Sequence, residues 1–137
     1  SPAGPAEDAG IVPPFGAMPA QEMAYLSGLE DGWYAITNPT RRVGFGIRFD
    51  PSVFRYIWYW QQMGNVASGF PWWRRLHTQA LEPWSSYPSD GLAEAIRNGT
   101  ALRLGAEEEL RTSLCAVAYE GNPGITGIDP DGTIARD

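Results

Sequence analysis

Glu82 is the side chain of this 137-residue chain with the clearest capacity for acid–base chemistry. It ends an apolar run, and Pro83 behind it disfavours the helical region, so we predict that Glu82 is extended at the end of a strand. In a regular strand Thr78, Ala80 and Glu82 share one face, where small side chains leave room for a ligand. A carboxylate beside a ligand can act as a general base. Pairing with an arginine for structural reasons is the alternative that the residues leave open.

The chain contains one histidine, His77, and strand alternation separates it from Glu82. The two side chains fall on opposite faces of a regular strand, and only a bulge would bring them together. We therefore predict a structural role for His77 rather than a catalytic pair with Glu82.

Aromatic residues surround the Glu82 segment, and sugars present apolar C–H faces on which such rings stack. Trp84 lies two residues after Glu82 and precedes a Ser-Ser-Tyr run, so it is a candidate for lining a sugar site. Trp58 and Trp60 are predicted to be core residues. Arg48 is a further candidate for substrate binding, because Gly44 and Gly46 on its face predict close approach by a ligand or by another strand.

The elements that position these residues are mostly strands, as expected from 16 Gly and 12 Pro that separate short apolar runs. We predict one domain over residues 21–121, after an extended lead-in (1–20) and before a flexible tail (122–137). One helix is predicted over Ser89–Asn98, capped by Ser89 or Asp90 and ended by Asn98-Gly99. The predicted strands are Trp33–Thr37, Val43–Phe49, Arg55–Gln61, Arg75–Glu82 and Glu109–Tyr119.

Composition and charge exclude several classes of partner and of site. The net charge is −6, and all ten cations are scattered arginines, so binding to nucleic acid or to an anionic membrane is not expected. No apolar run approaches the roughly 20 residues of a membrane span, and the N-terminus has no secretion signal. The single cysteine, Cys115, is compatible with a reducing cytoplasm and rules out an internal disulfide. No metal-ligand cluster is apparent, and no cofactor is expected.

The run Leu81-Glu82-Pro83-Trp84 resembles the segment that carries the catalytic glutamate in the aldose 1-epimerase (galactose mutarotase-like) family. The similarity extends over roughly residues 10–120. It includes Trp58-Tyr59-Trp60-Gln61 with Pro71-Trp72-Trp73 upstream, and a short helix and a final strand downstream. The turn at Leu104–Glu108 departs from the family pattern, because the usual Pro-Gly is absent.

The resemblance implies an antiparallel β-sandwich of the galactose mutarotase-like supersandwich type and interconversion of sugar anomers. In that mechanism Glu82 takes the proton of the C1 hydroxyl while a histidine protonates the ring oxygen. The family's histidines lie in an N-terminal half, and His77 matches neither, so we expect this chain to be a C-terminal portion lacking the acid.

The expected ligand is a monosaccharide or sugar phosphate, and a homo-oligomer or a missing N-terminal half is a possible partner. Two alternatives remain open. One is a non-catalytic carbohydrate-binding β-sandwich. The other is a glycoside hydrolase, which needs a second carboxylate about 5–10 Å from Glu82; Asp90 is the nearest in sequence.

Overall fold

A computed structural model describes residues 10–16, 21–64, 70 and 73–137. These residues form an all-β, sandwich-like fold of antiparallel sheets with a single short helix, which confirms the predicted fold class. The elements are β1 (Gln21–Leu26), β2 (Trp33–Asn38), β3 (Val43–Phe49), β4 (Tyr56–Met63), β5 (His77–Trp84), α1 (Leu92–Arg97), β6 (Leu114–Glu120), β7 (Ile125–Ile128) and β8 (Ile134–Arg136).

The strands of the described residues belong to three sheets with the orders β1-β4-β5, β2-β3-β6 and β7-β8. In the second sheet β3 is central and antiparallel to both neighbours. Its Ile47 lies opposite Tyr34 of β2 and Ala116 of β6. This register places Tyr34, Ile47 and Ala116 on one face, and Arg48 on the other.

All five predicted strands are present, as β2 to β6; the bounds of β3 are as predicted, and those of the other four differ by at most five residues. The flexible tail predicted for residues 122–137 is wrong, because β7 and β8 form an antiparallel hairpin there and Ile128 is only 1% exposed. Most of the lead-in predicted for residues 1–20 lies outside the described residues. Residues 10–16 are described, and Gly16 N–H donates to the Met63 carbonyl at 2.6 Å.

The chain divides into two compact units, and the first comprises residues 1–24 and 59–81. Its described core includes Tyr59 and Met63, which lie on the same face of β4 and are 5% and 0% exposed. The Tyr59 hydroxyl donates to Gln79 Oε1 at 3.1 Å. His77 Nε2 lies 2.8 Å from the Pro13 carbonyl oxygen, and its ring is packed edge-on against Phe15. These contacts agree with the structural role predicted for His77.

The second unit comprises residues 25–58 and 82–137. Its core contains Phe49, Val53, Ile57, Ala95 and Ile128, which are between 1% and 7% exposed. The β7-β8 hairpin covers the Gly44/Gly46 face of the β2-β3-β6 sheet. A Cβ atom at Gly46 would lie 2.5 Å from Ile128 Cδ1, so the missing side chain is what lets β7 approach. Gly46 therefore serves close approach by a strand, which is one of the two predicted reasons for the glycines. At Gly44 the Tyr119 ring of β6 occupies the space of the missing side chain.

Helix α1 is shorter than predicted and begins differently. Gly91 is its N-cap and makes no side-chain capping bond, so the predicted caps Ser89 and Asp90 are wrong. Ser89 is engaged instead with the Tyr25 hydroxyl, 2.8 Å from its Oγ. The helix ends as predicted at Asn98, and Gly99 follows with φ of 78°, a value that glycine tolerates without strain.

Candidate functional site

Glu82 stands near the C-terminal end of β5, as the proline behind it predicts, and its side chain is exposed. One carboxylate oxygen, Oε2, accepts a hydrogen bond from the Trp84 indole Nε1–H at 3.0 Å. No ion pair of the described residues includes Glu82. Structural pairing with an arginine, the alternative open at the level of sequence, is therefore not what holds this carboxylate.

The indole that binds Glu82 is itself fixed in place. Trp84 stacks on Trp58 with the ring centroids 4.3 Å apart and an interplanar angle of 17°. Trp58 is anchored in turn, because its Nε1–H donates to the Ser86 carbonyl at 2.8 Å. Trp84 is nevertheless 41% exposed, so part of its ring remains accessible. The stack orients one oxygen of Glu82, and no hydrogen bond of the described residues engages Oε1.

The negative charge of Glu82 affects the pKa of Tyr34 on β2. Burial, in the first place, and the negative charge of Glu82, in the second, raise the pKa of the Tyr34 phenol above its usual value of 10.0. Both effects disfavour the phenolate. At neutral pH Tyr34 is therefore a protonated hydrogen-bond donor in the neighbourhood of Glu82.

A cleft of about 550 Å³ lies within the second unit and is called here the tyrosine cleft. Its lining residues come from the β1 end and the loop after it, from the start of β4 and from the loop after β5: Tyr25, Ser27, Gly28, Arg55, Tyr56 and Tyr87. Tyr87 links the other two rings, with centroids 5.7 Å from Tyr25 and 4.9 Å from Tyr56. Tyr25 also meets Trp58 edge-on at 5.8 Å. The tyrosine cleft and the Glu82–Trp84 pair thus flank the same tryptophan.

Among the described residues that line the tyrosine cleft, only Arg55 is charged. Its Nη2 donates to the carbonyls of Ser85 and Thr100 at 3.0 and 2.6 Å. The guanidinium carbon lies 5.7 Å from the centre of the Tyr56 ring. Two carbonyl acceptors and an aromatic face hold the guanidinium in a defined position, and no ion pair of the described residues neutralises it.

The remaining predicted site residues are not gathered around Glu82. Arg48 pairs with Asp31 at 2.9 Å and lines a smaller cleft of about 280 Å³. It projects from the sheet face opposite Tyr34. Thr78 is half-buried on β5 and belongs to the first unit, whereas Glu82 and Trp84 belong to the second. Neither cleft is lined by Glu82, so the predicted hollow beside this carboxylate is not among them.

The tyrosine cleft was missed at the level of sequence because its walls come from three distant segments. The isolated residues Tyr25, Ser27 and Gly28 form no motif. One signal was present: Arg55 and Tyr56 open the aromatic β4 run, and Tyr87 follows Trp84 in the Ser/Tyr/Pro loop. Only the fold shows that these rings touch.

No protein-family model, curated protein or solved structure matches the chain. The helix of the described part is too short and too polar to cross a bilayer. Among the same residues no three His, Cys, Asp or Glu side chains are grouped so that they could hold a metal ion.

Proposed function

We propose that this chain provides the general base of an aldose 1-epimerase-like activity that interconverts sugar anomers, with Glu82 as the base. The observation that supports it best is the Glu82–Trp84 arrangement. An exposed carboxylate, free of any arginine, is oriented by an indole that is stacked on a second indole. Together with the resemblance of the Leu81–Trp84 run to the family's glutamate segment, this arrangement favours carbohydrate chemistry.

The roles of the two side chains follow from their contacts. The Trp84 hydrogen bond occupies Oε2, so Oε1 is available to accept the proton of the C1 hydroxyl. The partly exposed Trp84 ring offers an apolar face for the C–H groups of the same sugar. Proton removal from O1 and protonation of the ring oxygen open the ring, and closure after rotation about C1–C2 gives the other anomer.

The acid that protonates the ring oxygen is not His77, which is engaged with the Pro13 carbonyl. One acid–base group typically contributes about 10²–10⁴-fold to the rate. We therefore expect the chain by itself to accelerate mutarotation only weakly, and a weak external acid such as imidazolium to increase the Glu82-dependent part of the rate.

Polarimetry of freshly dissolved α-D-glucose and α-D-galactose, with and without imidazole, tests this proposal. Glu82→Gln keeps an acceptor for the Trp84 N–H but cannot take a proton, and it is expected to remove the acceleration. Glu109→Gln, at an exposed glutamate paired with Arg111, is the matched control and should retain it. Equal rates for the wild type and Glu82→Gln, once the rate of buffer and imidazole alone is subtracted, would refute Glu82 as the base.

A non-catalytic carbohydrate-binding domain is the second candidate, and the tyrosine cleft is the observation that favours it. Tilted tyrosine rings around a cleft of this volume suit sugar binding without any proton transfer. Saturable binding of a monosaccharide, combined with mutarotation rates equal to those of buffer, would favour this candidate over the epimerase.

A further inference from the structure

We infer that the tyrosine cleft is a binding site for an acidic monosaccharide, a hexuronate, whose ring lies against the tyrosines and whose carboxylate binds Arg55. This inference goes beyond the proposed epimerase activity and does not depend on Glu82, which does not line the cleft.

The size of the cleft and the order of its walls suit a single sugar ring. Its volume of about 550 Å³ lies within the roughly 300–1,000 Å³ range of small-molecule sites. Tyr25 is fixed by the Ser89 Oγ at 2.8 Å and by the edge of Trp58. The Tyr87 loop is fixed at its carbonyl, which accepts from Thr100 Oγ1 and from Asn98 Nδ2, both at 2.8 Å. Walls held in this way lose little entropy when a ligand binds.

The charge of the cleft selects the ligand class. The chain carries a net charge of −6, yet the Arg55 guanidinium is the only charged group among the described residues that line the tyrosine cleft. Its Nη2 is committed to two carbonyls, whereas Nε and Nη1 have no acceptor among the described residues. Both bidentate arrangements of a guanidinium include Nη2, so a ligand carboxylate would accept one charge-assisted hydrogen bond here, from Nε or from Nη1. A fixed arginine without a carboxylate partner therefore favours an anion supplied by the ligand.

The aromatic rings that line the cleft favour a ligand that has an apolar surface as well as an anionic group. Tyr56 and Tyr87 present rings 4.9 Å apart next to the guanidinium, and Ser27 adds an exposed hydroxyl. Small inorganic anions gain nothing from ring faces, whereas a pyranose offers C–H groups to the rings and hydroxyls to Ser27. A hexuronate combines this ring with the carboxylate in one molecule.

Three probes distinguish recognition of the sugar ring from recognition of the carboxylate in NMR or calorimetric titrations. They are D-glucuronate, D-glucose (ring without charge) and acetate (charge without ring). We expect glucuronate to bind at least about tenfold more tightly than either, since a charge-assisted hydrogen bond and ring stacking each contribute a factor of this order. Acetate binding as tightly as glucuronate would overturn the carbohydrate part, and glucose binding as tightly would overturn the role of Arg55.

Matched variants locate the site. Ser27→Phe fills the cleft from an exposed residue and should weaken glucuronate binding by more than about tenfold, by steric exclusion. Thr40→Phe places the same ring in the exposed turn between β2 and β3 and should leave binding unchanged. Unaltered glucuronate binding by Ser27→Phe would refute the assignment to this cleft.

Two further variants address the arginine and the independence from Glu82. Arg55→Lys keeps the charge but loses the Nε and Nη1 donors, and it should weaken glucuronate binding more than glucose binding. Arg55 also connects two loops through its bonds to the Ser85 and Thr100 carbonyls. The thermal unfolding of the Arg55→Lys variant is therefore compared with that of the wild type. If this variant is unfolded, Ser27→Phe remains the test of the site. Glu82→Gln should bind glucuronate normally. Loss of glucuronate binding in folded Glu82→Gln would place the ligand at Glu82 and refute a separate site.

Discussion

At the scale of single residues, the position of Glu82 depends on a short chain of contacts rather than on an opposite charge. Pro83 keeps the backbone extended, Trp84 donates to one carboxylate oxygen, and Trp58 holds Trp84 by stacking. A neutral donor orients a carboxylate without neutralising it, so the negative charge is still felt by its surroundings. The Tyr34 phenol is the group on which this charge acts.

Replacement of Glu82 by glutamine should therefore lower the pKa of Tyr34. The negative charge of Glu82 raises this pKa, so its removal makes the phenolate easier to form. Burial is the larger cause and persists, so the pKa should still lie above the usual 10.0. Titration of the ¹³Cζ signals of labelled tyrosine resolves Tyr34 among the six tyrosines.

The conservative variant Glu82→Asp keeps the charge and is the control for this titration. Its Tyr34 pKa should stay closer to that of the wild type than the pKa in Glu82→Gln does. An unchanged Tyr34 pKa in Glu82→Gln would contradict the placement of the carboxylate near the phenol.

Residue types identified Glu82 and Trp84 as neighbours, because the two lie on one face of a strand that their own sequence defines. The same reasoning failed for Arg48, whose partner Asp31 lies in the loop before β2. Alternation assigns the side of a strand on which a residue lies. It does not tell which side of the sheet another segment will cover.

At the scale of elements, the β7-β8 hairpin packs on the β2-β3-β6 sheet and buries one of its faces. Its Ile128 is almost completely buried above Gly46, and β7 contacts both β2 and β3. The close approach depends on the absence of a side chain at Gly46. A methyl group there would overlap Ile128 Cδ1 and would lie 2.8 Å from the Tyr34 carbonyl oxygen.

Gly46→Ala should accordingly lower the free energy of unfolding by about 1–3 kcal/mol, the usual cost of overpacking a core. Urea denaturation followed by tryptophan fluorescence measures the change. Ile128→Val removes the Cδ1 atom that the new methyl group meets, so the double variant should lose less stability than the sum of the two single variants. Strict additivity would show that the hairpin does not rest on Gly46.

The strands that could be predicted are those with a strong two-residue period or a long aromatic run, such as Val43–Phe49 and Tyr56–Met63. The three missed strands are β1, whose Gln21–Leu26 sequence has no clear alternation, and the short β7 and β8. The last two lie among Gly, Pro and Asp, which favour turns. Their strand structure comes from packing on the sheet, which local sequence does not encode.

At the scale of the whole molecule, apolar surface is distributed unevenly over the β2-β3-β6 sheet. The hairpin covers the Gly46 face, whereas the opposite face keeps large apolar side chains in contact with solvent. Among these, Val43 is 43%, Phe45 45% and Leu114 54% exposed. In the register of the sheet Phe45 lies between Ile36 and Ala118. These exposed apolar side chains should bind hydrophobic dyes.

Phe45 and Phe49 form a matched pair for testing that surface, since both lie on the same side of β3 but are 45% and 3% exposed. Phe45→Ser should reduce 8-anilinonaphthalene-1-sulfonate fluorescence and lower the free energy of unfolding by only about 1–2 kcal/mol, because nearly half of the side chain is already exposed. Phe49→Ser should cost about 3–5 kcal/mol or prevent folding, since it empties a packed position and introduces a hydroxyl there. Urea denaturation and dye titration of the two variants decide the matter. If Phe45→Ser destabilises the chain as strongly as Phe49→Ser, or leaves dye binding unchanged, the exposed apolar face does not exist in solution.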